Sequence, residues 1–105
     1  DNTSKSRRRS MRTYRQDPQA VLLDVRTDEE YGEGHIPGSV HLELGRESEL
    51  PRIAPDPRTP LYVYCRSGSR SESACRVFRG MGYPHVVNIG GILAWEGDIE
   101  KGARV

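Results

Sequence analysis

The sequence has few cysteines, and their spacing does not suggest a scaffold. Cys65 and Cys75 are the only two among 105 residues. Two are too few for a disulfide framework, and no paired C-x-x-C spacing with histidine partners indicates a zinc site. We therefore expect both thiols to be reduced, which favours a reducing compartment, the cytoplasm.

Long hydrophobic runs are also absent. No apolar stretch approaches the roughly 20 residues that span a bilayer. No short apolar segment with a cleavage site follows the basic start, so we expect neither a membrane anchor nor a signal peptide. A chain of this length with 34% hydrophobic residues predicts one domain with a single core.

The net charge of +1 hides an asymmetry between the two ends of the chain. Residues 17–105 carry ten bases and fourteen acids, so we expect a basic N-terminal segment, 1–16, helical or frayed, before a folded domain, 17–105. A solvated helix or a frayed terminus explains this segment better than contact with nucleic acid, a membrane or an acidic partner. Its basic residues are Lys5, Arg7, Arg8, Arg9, Arg12 and Arg15.

Beyond residue 17, strand patterns alternate with helix patterns. Apolar or β-branched runs predict strands at 20–25, 39–42, 61–64 and 86–89. Thr27 and Glu30 have the spacing of a capping box, which predicts a short helix stopped by Gly32 and Gly34. Four prolines within 43–60 predict a surface segment with little regular structure.

The C-terminal third predicts one longer helix. Ala74, Cys75, Val77, Phe78 and Met81 recur at helical spacing and form one apolar face. After the last strand, Gly90-Gly91 predicts a tight turn and residues 92–95 a short helical start. This alternation predicts an α/β fold with a mainly parallel sheet, helices on both faces, and ligands beyond the carboxyl ends of the strands.

One such end carries a cysteine. Residues 65–71, C-R-S-G-S-R-S, lie between a strand and a helix, so their amides can form an anion-binding nest around the sulfur of Cys65. Gly68 permits positive φ, and Arg66 and Arg70 favour the thiolate and an anionic ligand. The alternative is a buried, inert Cys65 with solvent-facing arginines.

Other polar residues near this end are predicted to be structural. Asp24 closes an apolar strand, Arg26 is expected to pair with Glu30, and His35 is expected to hold a turn. We expect Cys75 to be buried rather than redox-active.

Several segments together resemble the rhodanese family. They are Asp24-Val25-Arg26 with Glu30-Tyr31, Gly34-His35-Ile36-Pro37-Gly38, the loop from Cys65 to Arg70, and Gly90-Gly91 followed by Ala94-Trp95. The resemblance implies a three-layer sandwich and a sulfurtransferase, in which Cys65 takes sulfur from thiosulfate or a similar anionic donor. The persulfide then passes sulfur to cyanide or a thiol, which includes a protein thiol.

The resemblance also implies which groups hold the substrate. The backbone amides of Arg66, Ser67, Gly68, Ser69 and Arg70 bind the persulfide, and the side chains of Arg66 and Arg70 position the donor. No metal or organic cofactor is implied.

Two alternatives differ in mechanism. Related phosphatases and arsenate reductases place five residues between cysteine and arginine, whereas four separate Cys65 and Arg70, which favours sulfur over a phosphate. A persulfide relay or docking module of a larger assembly is the other alternative, and residues 7–9 are its candidate contact surface. The nucleophile Cys65 argues against a purely structural module.

Overall fold

The computed structural model describes residues 2–102, apart from the side chains of residues 2–8 and 94. Its four strands form one parallel sheet in the order β2-β1-β3-β4, which confirms the predicted α/β fold. The strands are β1 Val21–Asp24, β2 Val40–His41, β3 Leu61–Cys65 and β4 Val86–Gly91. The helices are α1 Asn2–Gln16, α2 Asp28–Glu33, α3 Leu50–Ile53 and α4 Ser69–Gly80, with 3-10 turns at Glu47–Glu49 and Ile92–Ala94.

Strand β3 lies at the centre of the core and is buried along its whole length. Because side chains alternate along a strand, Val63 and Cys65 pack on one face, with Phe78 of α4. Tyr62 and Tyr64 pack on the other face. Helices therefore cover both faces of the sheet, and the fold has three layers.

The basic segment at the N-terminus is helical. Met11 of α1 is buried beneath the sheet, and the ring of Tyr14 meets that of Tyr62 edge-on at 5.5 Å. Arg9, Arg12 and Arg15 are exposed. Two apolar side chains thus anchor a helix whose exposed side chains include these three arginines. None of the helices within residues 2–102 is long and apolar enough to cross a membrane.

Local sequence signals set the short elements. The Thr27 and Glu30 capping box is formed as predicted, but α2 ends at Glu33 with Gly34 as its C-cap, and Gly32 lies inside the helix. The segment 43–60 holds only a 3-10 turn and the four-residue α3, where Pro51 occupies the first turn and needs no intrahelical acceptor.

The predicted tight turn at Gly90-Gly91 is wrong, because both residues extend β4. Gly90 pairs with Tyr64 and Gly91 with Cys65, after a register shift opposite Val63 and Tyr64. Gly90 has φ +96°, a conformation that suits glycine at such an irregularity. The last strand therefore runs alongside the end of β3, where Cys65 lies.

Candidate active site

Cys65 is the last residue of β3 and has no exposed surface. The chain then turns through Arg66, Ser67 and Gly68 into α4. Gly68 has φ +107°, and its amide donates a hydrogen bond of 2.9 Å to the sulfur of Cys65. The positive φ predicted for Gly68 turns the chain from this loop into α4.

The environment of Cys65 favours the thiolate. Burial alone would raise the pKa of Cys65, but nearby donor groups outweigh burial and lower it; they are the hydroxyl and amide of Ser71 and the amides of Gly68 and Ser67. The amino terminus of α4 adds a favourable dipole. By contrast, burial raises the pKa of Cys75 to about 11, so only one of the two cysteines has the character of a nucleophile.

Hydrogen bonds of the Ser71 and Asn88 side chains connect the loop to β4, and the sequence had suggested no role for either side chain. Ser71 Oγ lies 3.0 Å from the Gly68 carbonyl and 2.7 Å from Asn88 Oδ1. The Asn88 amide donates to the same carbonyl at 3.2 Å, and its Oδ1 accepts from the Gly90 amide at 2.9 Å. A polar residue within an otherwise apolar strand was the only signal for Asn88.

Glycine at position 91 lets the loop lie directly against β4. A Cβ atom on Gly91 would meet the Arg66 carbonyl oxygen and come within 2.6 Å of Ser67 Cα. The Arg66 carbonyl also accepts a hydrogen bond of 3.2 Å from the Leu93 amide. Gly91 therefore contributes to the site, although we predicted only a turn for it.

The charged residues pair differently from our prediction. Arg26 does not meet Glu30; its Nε lies 3.0 and 3.1 Å, and its Nη2 2.7 Å, from the oxygens of Asp24. Both side chains are almost fully buried. Because a buried carboxylate is unfavourable without a neighbouring positive charge, Asp24 pairs with Arg26, two residues further along the chain. The predicted pair of Arg26 with Glu30 is therefore wrong.

Glu30 instead meets Arg70 across the fold. Arg70 Nη1 lies 2.7 Å from Glu30 Oε1, and Nη2 lies 2.9 Å from Oε2, so the two side chains form a bidentate ion pair. The hydrogen bonds from Arg70 lower the pKa of Glu30 to about 2. Arg70, predicted to grip an anionic donor, thus has its guanidinium on a carboxylate, while Arg66 is exposed at the rim.

His35 follows Gly34, whose carbonyl accepts a hydrogen bond from Arg26. Its ring is buried and stacks on Tyr31 at 3.7 Å, and Nδ1 donates to the Tyr31 carbonyl at 2.8 Å. Its backbone forms a two-bond bridge with Glu100. His35 therefore braces the turn after α2, and the described contacts give it no part at the sulfur.

Comparison with protein families matches residues 9–98 to the rhodanese-like domain. The chain is 38% identical over 82 residues to the putative sulfurtransferase YtwF of Bacillus subtilis, covering 78% of this chain and 79% of that protein. It is 40% identical over 84 residues to the putative sulfur carrier protein YrkF of the same organism, covering 75% of this chain but only 43% of that protein.

A solved structure has the same architecture. A rhodanese with anions from E. coli superposes with a TM-score of 0.75 at 31% sequence identity. The match covers 79% of this chain and 99% of the other. The parallel sheet and its covering helices are thus shared over nearly the whole of that protein.

Proposed function

The chain belongs to the rhodanese-like family, and from that premise we propose that it transfers sulfur from thiosulfate or a similar anionic donor to cyanide or a thiol through a Cys65 persulfide. The observation that carries the proposal is the setting of Cys65 at the end of a buried strand, where its sulfur accepts the Gly68 amide and nearby hydrogen-bond donors lower its pKa. Both cysteines are free, so we propose the reducing cytoplasm as the setting.

In the first half-reaction, the Cys65 thiolate attacks the outer sulfur of thiosulfate. The sulfur–sulfur bond of the donor breaks, its electron pair leaves with sulfite, and a new bond joins that sulfur to Sγ. In the second, cyanide or a thiolate attacks the outer persulfide sulfur and regenerates the Cys65 thiolate. Neither half-reaction needs a metal or an organic cofactor.

The loop supplies the groups that would hold the outer sulfur. Ser69 and Arg70 occupy the first turn of α4, where backbone amides have no intrahelical acceptor. These amides, with those of Arg66, Ser67 and Gly68, are the proposed hydrogen-bond donors to the persulfide. Because Cys65 has no exposed surface, a donor must displace part of this loop to reach Sγ.

The short loop also disfavours a phosphatase. Arg66 and Ser67 lie against Gly91, so the loop has no space to widen on the β4 side around a tetrahedral oxyanion. A single added sulfur atom requires less room than a phosphate group.

A persulfide relay that serves a protein partner is the second candidate. Leu93 is 68% exposed, although its amide is bonded to the loop at Arg66. We propose Leu93 as one contact of such a partner, because its backbone is held against the loop that follows Cys65. The similarity to a protein named as a sulfur carrier supports the same candidate.

The test is the intact mass of the purified protein after incubation with thiosulfate and again after cyanide. We expect a gain of one sulfur atom that requires Cys65, persists in Cys75→Ser and disappears with cyanide. A Cys65→Ser variant that still gains sulfur would contradict the assignment of the nucleophile. No gain from thiosulfate, with a gain from a protein persulfide, would favour the relay.

A further inference from the structure

Two ion pairs stand beside the loop that holds Cys65, and they differ in burial. The pair of Arg26 with Asp24 is almost fully buried. The pair of Arg70 with Glu30 is partly open to solvent, with side-chain exposures of 34% and 24%. Charge on the second pair is therefore accessible to an anion arriving at the loop.

We propose that Glu30 is a positioning residue that sets the electrostatic potential at Cys65 by neutralising Arg70. Through this potential, Glu30 sets how strongly the site favours a doubly charged sulfur donor; this inference rests on the proposed function. Glu30 itself touches no reacting atom in this proposal. It acts through the guanidinium that it holds.

The arrangement of charge around the loop supports this role. Arg70 lies in the first turn of α4, directly after the loop that begins at Cys65, and Glu30 binds both Nη atoms of its guanidinium. The Asp24–Arg26 pair on β1 is internally balanced, and Glu72 on α4 lies near Arg76 at 3.7 Å. With these pairs balanced, Arg66 supplies the net positive charge beside the nucleophile.

Removing the charge of Glu30 would add a second net positive charge. The isosteric Glu30→Gln keeps a side-chain oxygen for the Thr27 amide, because glutamine also serves in a capping box. It removes the negative charge that balances Arg70. An uncompensated Arg70 should attract a dianion more than a monoanion, since the Coulomb energy scales with the charge.

A merely structural role for the pair, as a tie between α2 and α4, predicts different behaviour. Thr27→Ala is the matched control, because it breaks the same capping box without touching the charges of Glu30 and Arg70. Arg70→Gln and the double variant complete a cycle that isolates the effect acting through the guanidinium.

The first measurement is the rate of Cys65 alkylation by iodoacetamide between pH 5 and pH 10, in a Cys75→Ser background. The plateau rate reports access to the buried sulfur, and the midpoint reports the thiolate. We expect Glu30→Gln to move the midpoint to lower pH by about half a unit. Thr27→Ala should leave the midpoint in place, and Glu30→Gln should have no effect once Arg70 is glutamine.

The second measurement compares KM for thiosulfate, a dianion, with KM for methanethiosulfonate, a monoanion. Transfer of the outer sulfur of methanethiosulfonate releases methanesulfinate as the leaving group. In Glu30→Gln we expect KM to fall about fivefold for thiosulfate and about twofold for the monoanion. Unchanged or raised KM values with an unmoved alkylation midpoint would overturn the proposal. The alkylation arm needs no turnover, so absence of sulfur transfer alone would instead count against the proposed function.

Discussion

Asn88 on β4 donates its side-chain amide to the carbonyl of Gly68, 3.2 Å away and twenty positions earlier in the chain. The amide of the same Gly68 donates to the sulfur of Cys65. One peptide residue thus joins the strand behind the loop to the proposed nucleophile in front of it. The residue whose amide contacts the sulfur is therefore also bonded to a side chain outside the loop.

Replacing Asn88 with alanine should therefore loosen the loop. The change removes partners of the Gly68 carbonyl, Ser71 and the Gly90 amide, and we expect the free energy of unfolding to fall by about 1–3 kcal/mol. Urea denaturation measures this loss of stability. We also expect kcat/KM for sulfur transfer to fall in Asn88→Ala. Val87→Ala, at a half-buried neighbour on the same strand, is the control for lost strand packing. Equal kcat/KM in the two variants would contradict the role of Asn88.

Gly91→Ala should disturb the loop that follows Cys65, because the added methyl group would clash with the loop backbone. The added Cβ would come within 2.6 Å of Ser67 Cα, and backbone atoms must shift to accept it. We expect a loss of about 1–3 kcal/mol of stability and most of the transfer activity, as measured by thermal unfolding and by turnover.

Gly32→Ala is the matched control for that substitution. It lies inside α2 with no atom near the new methyl group, so we expect stability to be unchanged or to rise by up to about 1 kcal/mol. Two alanine variants with the same unfolding temperature would show that the close approach at Gly91 is unimportant.

The layers of the fold could be predicted because their signals are local. The apolar runs, the capping box of Thr27 and the apolar face of α4 lie within single elements, and each formed near its predicted position. The end of β4 was mispredicted because Gly90 and Gly91 favour turns on their own. What keeps them in the strand is pairing with Tyr64 and Cys65, which no local pattern contains.

The site was predictable in part for the same reason. The loop from Cys65 to Arg70 is one continuous segment, so the cysteine, the glycine and the arginines were found from the sequence. The partner of Arg70 is forty positions away, and Arg26 was wrongly matched to Glu30 because the two are close along the chain. The choice depends on burial, since Asp24 is fully buried and takes the nearest cation.

The ion pair of Glu30 with Arg70 predicts a specific dependence of stability on pH. Folding lowers the pKa of Glu30 from 4.5 to about 2, so the pair should stabilise the protein above about pH 4.5 and cease to do so as the pH falls toward 2. Because the pair is partly exposed, we expect only about 1 kcal/mol at neutral pH. Urea denaturation of the wild type and Glu30→Gln from pH 2 to pH 7 should give curves that converge at acid pH. A constant difference between the two would mean that the Glu30 charge contributes nothing.

The two cysteines should differ sharply in reactivity, although both are buried. Hydrogen bonds to the sulfur outweigh burial and lower the pKa of Cys65, whereas burial raises the pKa of Cys75 to about 11. At neutral pH the thiolate fraction of Cys75 is negligible, so iodoacetamide should modify Cys65 first and Cys75 only on unfolding. Mass spectrometry of peptides after timed quenching measures both rates, and Cys75→Ser should leave the rate at Cys65 unchanged. Faster modification of Cys75 in the folded protein would contradict the view that its thiol is inert and would point to a second accessible sulfur next to the loop.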